Sequence, residues 1–392
     1  MPPWSAILPG VSFGGFSGVA GCRRRPSREK AVRIGIDASP MFASRAGIGQ
    51  YVAGLVQYLP SVEPDNEYFL YTSERVGERT GLAKGANVRL VTVPKWAVGW
   101  RATWDRIDVY HGTNYRLLGR GRRGDVLTVP DLAAERFPSL VKRGRASPKT
   151  RRTARRATAI IALSESTARD LMDLYGISRK KISVIHIGVA EIFAPAPMQE
   201  ARARVRQQCG IDGPFILFAG TIEPRKNLPA LIRAYASLPR IRGDFALVLA
   251  GEWGWGKSEV DRTVKEVGIE GRILLTGHVA LEDLRWLYCA ADLFVYPSLY
   301  EGFGLPPLEA MACGTPVITS NCSSLPEVVG DAAILADPRE VEELASTITR
   351  VLEDRELQHT MRERGIAQAK RFSWETCARE TLRVYAAVGA RG

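Results

Sequence analysis

Two glutamates with seven residues between them stand in Glu301-Gly-Phe-Gly-Leu-Pro-Pro-Leu-Glu309. Gly302 and Gly304 let a backbone come close to a ligand. Pro306 or Pro307 suits the first turn of a helix, which places Glu309 in that turn and Glu301 in the loop before it. Carboxylates accept hydrogen bonds from the vicinal hydroxyls of sugars and ribose. The backbone N–H groups between them suit a phosphate. Two glutamates at this spacing alone read as a helix-capping acid beside an exposed one; the intervening Gly-Phe-Gly-Leu-Pro shifts the reading strongly toward a ligand.

A second segment has complementary chemistry. Gly220-Thr-Ile-Glu-Pro-Arg-Lys-Asn227 follows an apolar run, with Gly220 allowing a sharp exit and Asn227 placed to cap the next helix. Arg225 and Lys226 then lie near a helix N-terminus, which already favours anions. Two cations there suit a diphosphate, unless they merely solubilise a surface loop.

These loops need a scaffold. Short apolar or β-branched runs recur at 32–37, 88–93, 108–110, 126–129 and 159–163, then at 215–219, 245–250, 273–275, 293–296 and 316–319, with helical stretches between them. Runs without polar alternation are strands buried on both faces of a parallel sheet. Two such sets predict an α/β chain of two doubly wound, Rossmann-like domains. The proline-rich 193–198 marks the break, giving domains at 32–195 and 196–370 and a C-terminal helix within 371–392, capped by Ser373. Ligands of such sheets bind beyond the carboxyl ends of the strands, where both loops lie.

The 392 residues, 45% hydrophobic and 24% charged, describe an ordinary folded chain large enough for two cores. No apolar run is long enough to cross a membrane. Cys22, Cys209, Cys289, Cys313, Cys322 and Cys377 form no Cys-x-x-Cys pair and fit thiols in a reducing cytoplasm. Residues 1–31, rich in Gly, Pro and Ser, read as a disordered extension. The charge of +12 concentrates in Lys142, Arg143, Arg145, Lys149, Arg151, Arg152, Arg155 and Arg156, with no acid between Glu135 and Glu165. Such a stretch is a solvated helix face, or it meets an anionic membrane or a phosphate-bearing acceptor. No nucleic-acid motif accompanies it. Trp96, Trp100 and Trp104 share one helical face, which either packs on the domain or lies at a membrane interface.

In this order and spacing the segments resemble family-4 retaining glycosyltransferases of the GT-B fold (the group-1, mannosyltransferase-like set), over roughly 32–388. Glu301 to Glu309 looks like that family's Glu-x7-Glu signature, and Gly220 to Asn227 its phosphate loop. Leu163-Ser-Glu-Ser-Thr167, Ile185-His-Ile-Gly-Val189, Leu275-Thr-Gly-His-Val279 and Phe372-Ser-Trp374 also match. The resemblance implies two domains facing across a cleft and transfer of a hexose from a nucleotide diphosphate sugar to a glycan or lipid-linked acceptor. GDP-mannose is the expected donor and UDP-sugars the alternative. It implies that Arg225 and Lys226 bind the diphosphate and Glu301 the transferred sugar. Glu309 takes the ribose; Gly302, Phe303, Gly304 and Leu305 line phosphate and sugar; Gly277, His278 and Val279 border the base. Gly220 belongs to the phosphate loop, and a loop carrying Gly47 and Gly49 closes over the reaction centre. No metal or other cofactor is implied, and no Asp-x-Asp occurs. The enzyme is expected in the cytoplasm, with peripheral contact to an anionic membrane.

One position departs from the pattern. Pro130-Asp131-Leu132 stands where family members often carry His-Asp-Leu. Asp131 or the backbone then serves, or the acceptor chemistry differs, or activity is reduced. His111, at another strand end, is a candidate for the acceptor side, and His186 reads as a packing residue. Two other classes compete. Gly251-Glu-Trp-Gly-Trp-Gly-Lys-Ser258 matches the phosphate loop of P-loop NTPases, although Trp253 and Trp255 are bulky for it and no later strand ends in a Mg²⁺-binding aspartate. A non-catalytic GT-B scaffold rests on Pro130 alone.

Overall fold

The computed structural model describes residues 31–43, 47–73, 86–117, 124–141 and 148–389. The expected extension over 1–31 lies, except for Ala31, outside these residues, as do Lys142, Arg143 and Arg145. Two sheets organise the chain. The first contains β1 (Arg33–Asp37), β2 (Glu67–Thr72), β3 (Val88–Thr92), β4 (Val109–Gly112), β5 (Asp125–Val129), β6 (Ala159–Ala162) and β7 (Ile182–Val184), in the order β3-β2-β1-β4-β5-β6-β7. The second contains β8 (Phe215–Ala219), β9 (Ala246–Ala250), β10 (Ile273–Gly277), β11 (Leu293–Tyr296), β12 (Val317–Ser320) and β13 (Ile334–Ala336), in the order β10-β9-β8-β11-β12-β13. β8 pairs in parallel with both β9 and β11, and β1 with both β2 and β4. This is the Rossmann-like pair of sheets expected of a GT-B chain.

The order explains the apolar runs. The central strands β8 and β11 are buried along their whole length because helices cover both faces. In each sheet the strand order reverses beside the first strand, between β1 and β4 and between β8 and β11. That reversal leaves a crevice at the carboxyl ends, because the flanking connections leave in opposite directions.

Packing groups the described residues into two compact units. The first takes in the chain up to Thr128, Arg152–Ile161 and the segment from Ala378; the second holds Val129–Arg151 and Ala162–Cys377. The helix Trp374–Gly389 begins with the Ser373 hydroxyl accepting from the Thr376 N–H at 3.1 Å. Among the described residues no helix is long and apolar enough to cross a membrane.

Candidate active site

The second unit brings Arg225, Lys226 and Glu301 into one cluster. Arg225 and Lys226 lie on the 3-10 turn Pro224–Lys226 after β8, and Glu301 lies in the loop after β11. These strands are the neighbours at the switch point. Leu299 N–H donates to the Arg225 carbonyl at 2.9 Å and Ser298 Oγ lies 3.1 Å from it, so the two loops are stitched together.

Their charges meet out of water. Lys226 Nζ donates to Glu301 Oε1 at 2.6 Å and Arg225 Nη1 to Oε2 at 2.7 Å. Ser298 Oγ adds a bond to Oε1 at 2.5 Å, and Lys226 also reaches the Tyr296 hydroxyl. Arg225 turns Nη2 and Nε to Glu223 Oε1 at 2.7 and 3.1 Å. Lys226 is 6% exposed and Glu301 7%. Burial alone raises the Glu301 pKa, but the two cations outweigh it and hold the carboxyl at about 2. Burial and the neighbouring Arg225 together lower Lys226, against the pull of Glu301. Burial opposes the Arg225 charge too, yet Glu301 and Glu223 raise its pKa well above the usual value. The result is a buried, pre-formed pair of cations whose charge Glu301 and Glu223 offset.

Glu309 differs from expectation in its place on the helix. The helix Leu305–Ala312 starts with Pro306 and Pro307 in its first turn, and Glu309 lies in the second. Leu305 is the first helical residue, so counting from the prolines alone sets the helix too late. The Glu309 carboxylate is buried, accepts from the Tyr288 hydroxyl at 3.0 Å, and is pushed up to about 7 by that burial. Gly302, Phe303 and Gly304 donate to no backbone carbonyl among the described residues. Gly304 has φ +121°, a conformation open to glycine.

Asn227 was expected to cap the next helix. It sits at that N-cap position with φ +56°, and its side chain instead donates to the Pro338 carbonyl at 2.6 Å. The αL backbone turns the amide away from the helix N–H groups.

The remaining second-unit residues fall around the same strand ends. Gly220 N–H donates to the Ala250 carbonyl, and Gly251 N–H to the Gly277 carbonyl, both at 2.9 Å. Gly277 ends β10 and His278 Nδ1 lies 3.6 Å from Glu252. Val279 follows, half-buried. Asp131 lies against Gly302: a Cβ built there would meet the Pro130 carbonyl and come within 2.8 Å of Asp131 Cβ. Thr167 Oγ1 donates to the Pro130 carbonyl at 3.2 Å. Tyr300, a residue the sequence reading did not single out, donates to Asp170 Oδ2 at 2.6 Å and accepts from Leu132 N–H at 3.2 Å. Ser298, Tyr296 and Tyr288 were also missed. Ser298 and Tyr300 adjoin the motif and were within reach; Tyr288 lies in a helix with nothing to mark it. His186 Nε2 lies 2.6 Å from Glu327 Oε1 and its ring packs near Phe303 and Phe372.

In the first unit, Gly47 and Gly49 form the first turn of the helix Gly47–Val62, where a glycine loop was expected. His111 does not line an open acceptor side. It is fully buried, with Nδ1 2.6 Å from the Tyr385 hydroxyl and Nε2 2.7 Å from Thr128 Oγ1, so both ring nitrogens are taken. Burial lowers its pKa to about 3, and the ring is neutral.

The segment resembling a P-loop is occupied by its own backbone. Gly254 N–H donates to the Ile222 carbonyl and Ile222 N–H to the Glu252 carbonyl, both at 2.9 Å. Lys257 lies over the Trp253 ring, 5.2 Å from its centroid. A phosphate nest needs inward N–H groups and a free lysine; this loop instead packs against the one after β8.

Known proteins give the same picture. The chain matches the family descriptions "Glycosyl transferases group 1" over residues 201–368 and "Glycosyltransferase Family 4" over 46–193. It is 37% identical over 282 residues to the Escherichia coli O-antigen chain mannosyltransferase B, across 71% of this chain and 74% of that one. It is 35% identical to the E. coli serotype-specific mannosyltransferase WbdA over 57% of this chain, but that match spans only 28% of the longer protein. Among solved structures, the sucrose-phosphate synthase of Thermosynechococcus elongatus superposes with a TM-score of 0.77 at 21% identity, covering 92% of this chain and 100% of that one. The Anabaena protein HepE, solved in complex with UDP and glucose, has a TM-score of 0.70 at 21% identity over 91% of this chain and 100% of its own. With two Rossmann-like sheets, the fold is GT-B, and the chain belongs to the group-1, family-4 glycosyltransferases and is a glycosyltransferase enzyme.

Proposed function

We propose that the protein transfers mannose, with retention, from GDP-mannose to a glycan or lipid-linked acceptor. The observation that carries the reading is the buried Arg225–Lys226–Glu301 cluster at the β8/β11 switch point. The mannosyl assignment draws on the mannosyltransferases it resembles, and the use of a nucleotide sugar on the complex of HepE with UDP.

In this reading the donor diphosphate lies against Arg225 and Lys226. The acceptor hydroxyl attacks the anomeric carbon as the bond to the β-phosphate oxygen breaks. The leaving diphosphate gains negative charge, which the two cations stabilise, and a phosphate oxygen takes the acceptor proton. Glu301, ionised over the whole physiological range, accepts from hydroxyls of the transferred sugar. Glu309 accepts from the ribose diol, and the backbone from Gly302 to Leu305 lines phosphate and sugar. Gly220 serves the phosphate loop, Gly277, His278 and Val279 border the base, and Asp131 faces the acceptor. The cations supply what a divalent metal supplies elsewhere, so the reaction needs no cofactor. It runs in the cytoplasm.

The test is transfer from GDP-mannose in EDTA, with UDP-glucose and UDP-galactose in parallel. The linkage formed is read by NMR for its anomeric configuration. Turnover of a UDP-sugar alone, an inverted product or a strict metal requirement each overturns the corresponding part. Donor binding without turnover on any acceptor would favour a scaffold.

A further inference from the structure

The helical segment 95–104 of the first unit presents three tryptophans to solvent. It runs as a 3-10 turn, Lys95–Ala97, continued by the helix Val98–Trp104. Val98 and Ala102 are buried on one side, packed with Phe69, Tyr71 and Tyr110. Trp96, Trp100 and Trp104 recur every four residues on the other side and are 80%, 79% and 82% exposed. The packing alternative weighed from sequence therefore fails: Val98 and Ala102 are enough to hold the segment down. Leaving three indoles in water is costly, and exposed apolar patches mark interaction surfaces.

We infer that this face docks on an anionic lipid bilayer. Charge argues for lipid. Arg89, Lys95, Arg101 and Arg106 are the cations of 86–106, all exposed; Arg101 pairs with the buried Asp105 at 2.9 Å and Arg89 with Glu67 at 3.7 Å, so Lys95 and Arg106 carry the net charge of the segment. The connections β3 to β4 and β5 to β6 cross the sheet in the same direction, so right-handed crossovers lay their helices on the same face. The second crossover adds exposed Arg152, Arg155 and Arg156. Indoles combine an apolar body with an N–H that prefers the headgroup boundary, and a convex helix with cations around it fits a flat anionic surface.

The full-length protein is sedimented with phosphatidylcholine vesicles and with vesicles carrying one quarter phosphatidylglycerol, at low and high salt. Indole emission is followed in parallel. Binding to the anionic vesicles, weakened by salt and with a blue shift, is expected. Trp96→Ser/Trp100→Ser/Trp104→Ser should lose at least tenfold in affinity for both vesicle types. Arg152→Gln/Arg155→Gln/Arg156→Gln should lose about fivefold per cation on the anionic vesicles only. Unchanged circular dichroism and an unchanged thermal shift with GDP show that both variants are folded. Vesicle binding that is absent, or unaffected by the tryptophan changes, overturns the inference. So does a self-association, removed by the same changes, in a protein that ignores vesicles; the face would then meet a second copy.

Discussion

The Tyr288 hydroxyl donates to Glu309 Oε2 at 3.0 Å, and this bond partly counters the burial that lifts the carboxyl to about 7. The folded pKa lies above the unfolded one of about 4.5. The contribution to stability is therefore complete below about pH 4.5 and is lost as pH rises through about 7, by ~3 kcal/mol at most. His111 has the opposite sign: its pKa falls to about 3, so its contribution is present above about 6.5 and is lost as pH falls. Urea midpoints of wild type and Glu309→Gln, compared between pH 4.5 and 8, isolate the glutamate. The wild type should lose stability relative to the variant as pH rises. On the proposed reading, in which the ionised carboxylate accepts the ribose hydroxyls, donor binding should strengthen over the same window. Tyr288→Phe should move that inflection upward; an unmoved inflection means Glu309 is not the titrating group.

Removing one member of a buried ion pair exposes the cost of the other. Lys226→Met and Glu301→Gln are each expected to lower stability by ~3–5 kcal/mol, and the double variant by less than the sum. Catalysis separates from stability here. Lys226→Met should lower kcat by ~10²–10³ with a smaller change in KM, the pattern for a donor acting on charge that develops in the transition state. A loss confined to KM would assign Lys226 to ground-state binding.

Gly302 and Tyr300 join the Glu301 loop to residues 130–132. Gly302→Ala forces a Cβ into the Pro130 carbonyl, and since backbone must move, a large loss of both stability and turnover is expected. Tyr300→Phe is gentler. It leaves the Leu132 N–H without its acceptor and costs ~1–3 kcal/mol, while Asp170 keeps Arg136 at 3.0 Å. Thermal melts of the two variants should rank them in that order.

Lys257→Ala tests the competing phosphate loop. Since Lys257 stacks on Trp253, its loss should leave donor turnover within about twofold and cost at most ~1 kcal/mol of stability. Magnesium-dependent ATP hydrolysis abolished by this change would revive the NTPase.

The ten strands read from apolar runs all exist; eight of them are largely buried as expected, whereas β3 and β10, at the sheet edges, leave Leu90, Leu274 and Leu275 exposed. β2, β7 and β13 escaped. β2 is Glu-Tyr-Phe-Leu-Tyr-Thr, aromatic with no β-branched run, and the other two are three residues long. The site divides in the same way. Arg225, Lys226 and Glu301 were legible from motif and resemblance, yet their mutual ion pairs depend on which strands become neighbours. Asn227 was misread because an αL conformation leaves no trace in a residue type that also caps helices. The tryptophan stripe gave its helical face correctly and hid which way it turns, since spacing carries no sign.

The hydrogen bond between His111 and Tyr385 spans 274 residues of sequence. The imidazole is sealed only when the late part of the helix Trp374–Gly389 arrives. At a synthesis rate of ~5–20 residues per second, the first unit waits on the order of 10–50 s on the ribosome for its last core residues. The second unit is synthesised within that interval and ends at Cys377, eight residues before Tyr385. The order of birth and the order of folding are therefore reversed: the unit that begins the chain is the last that is able to finish.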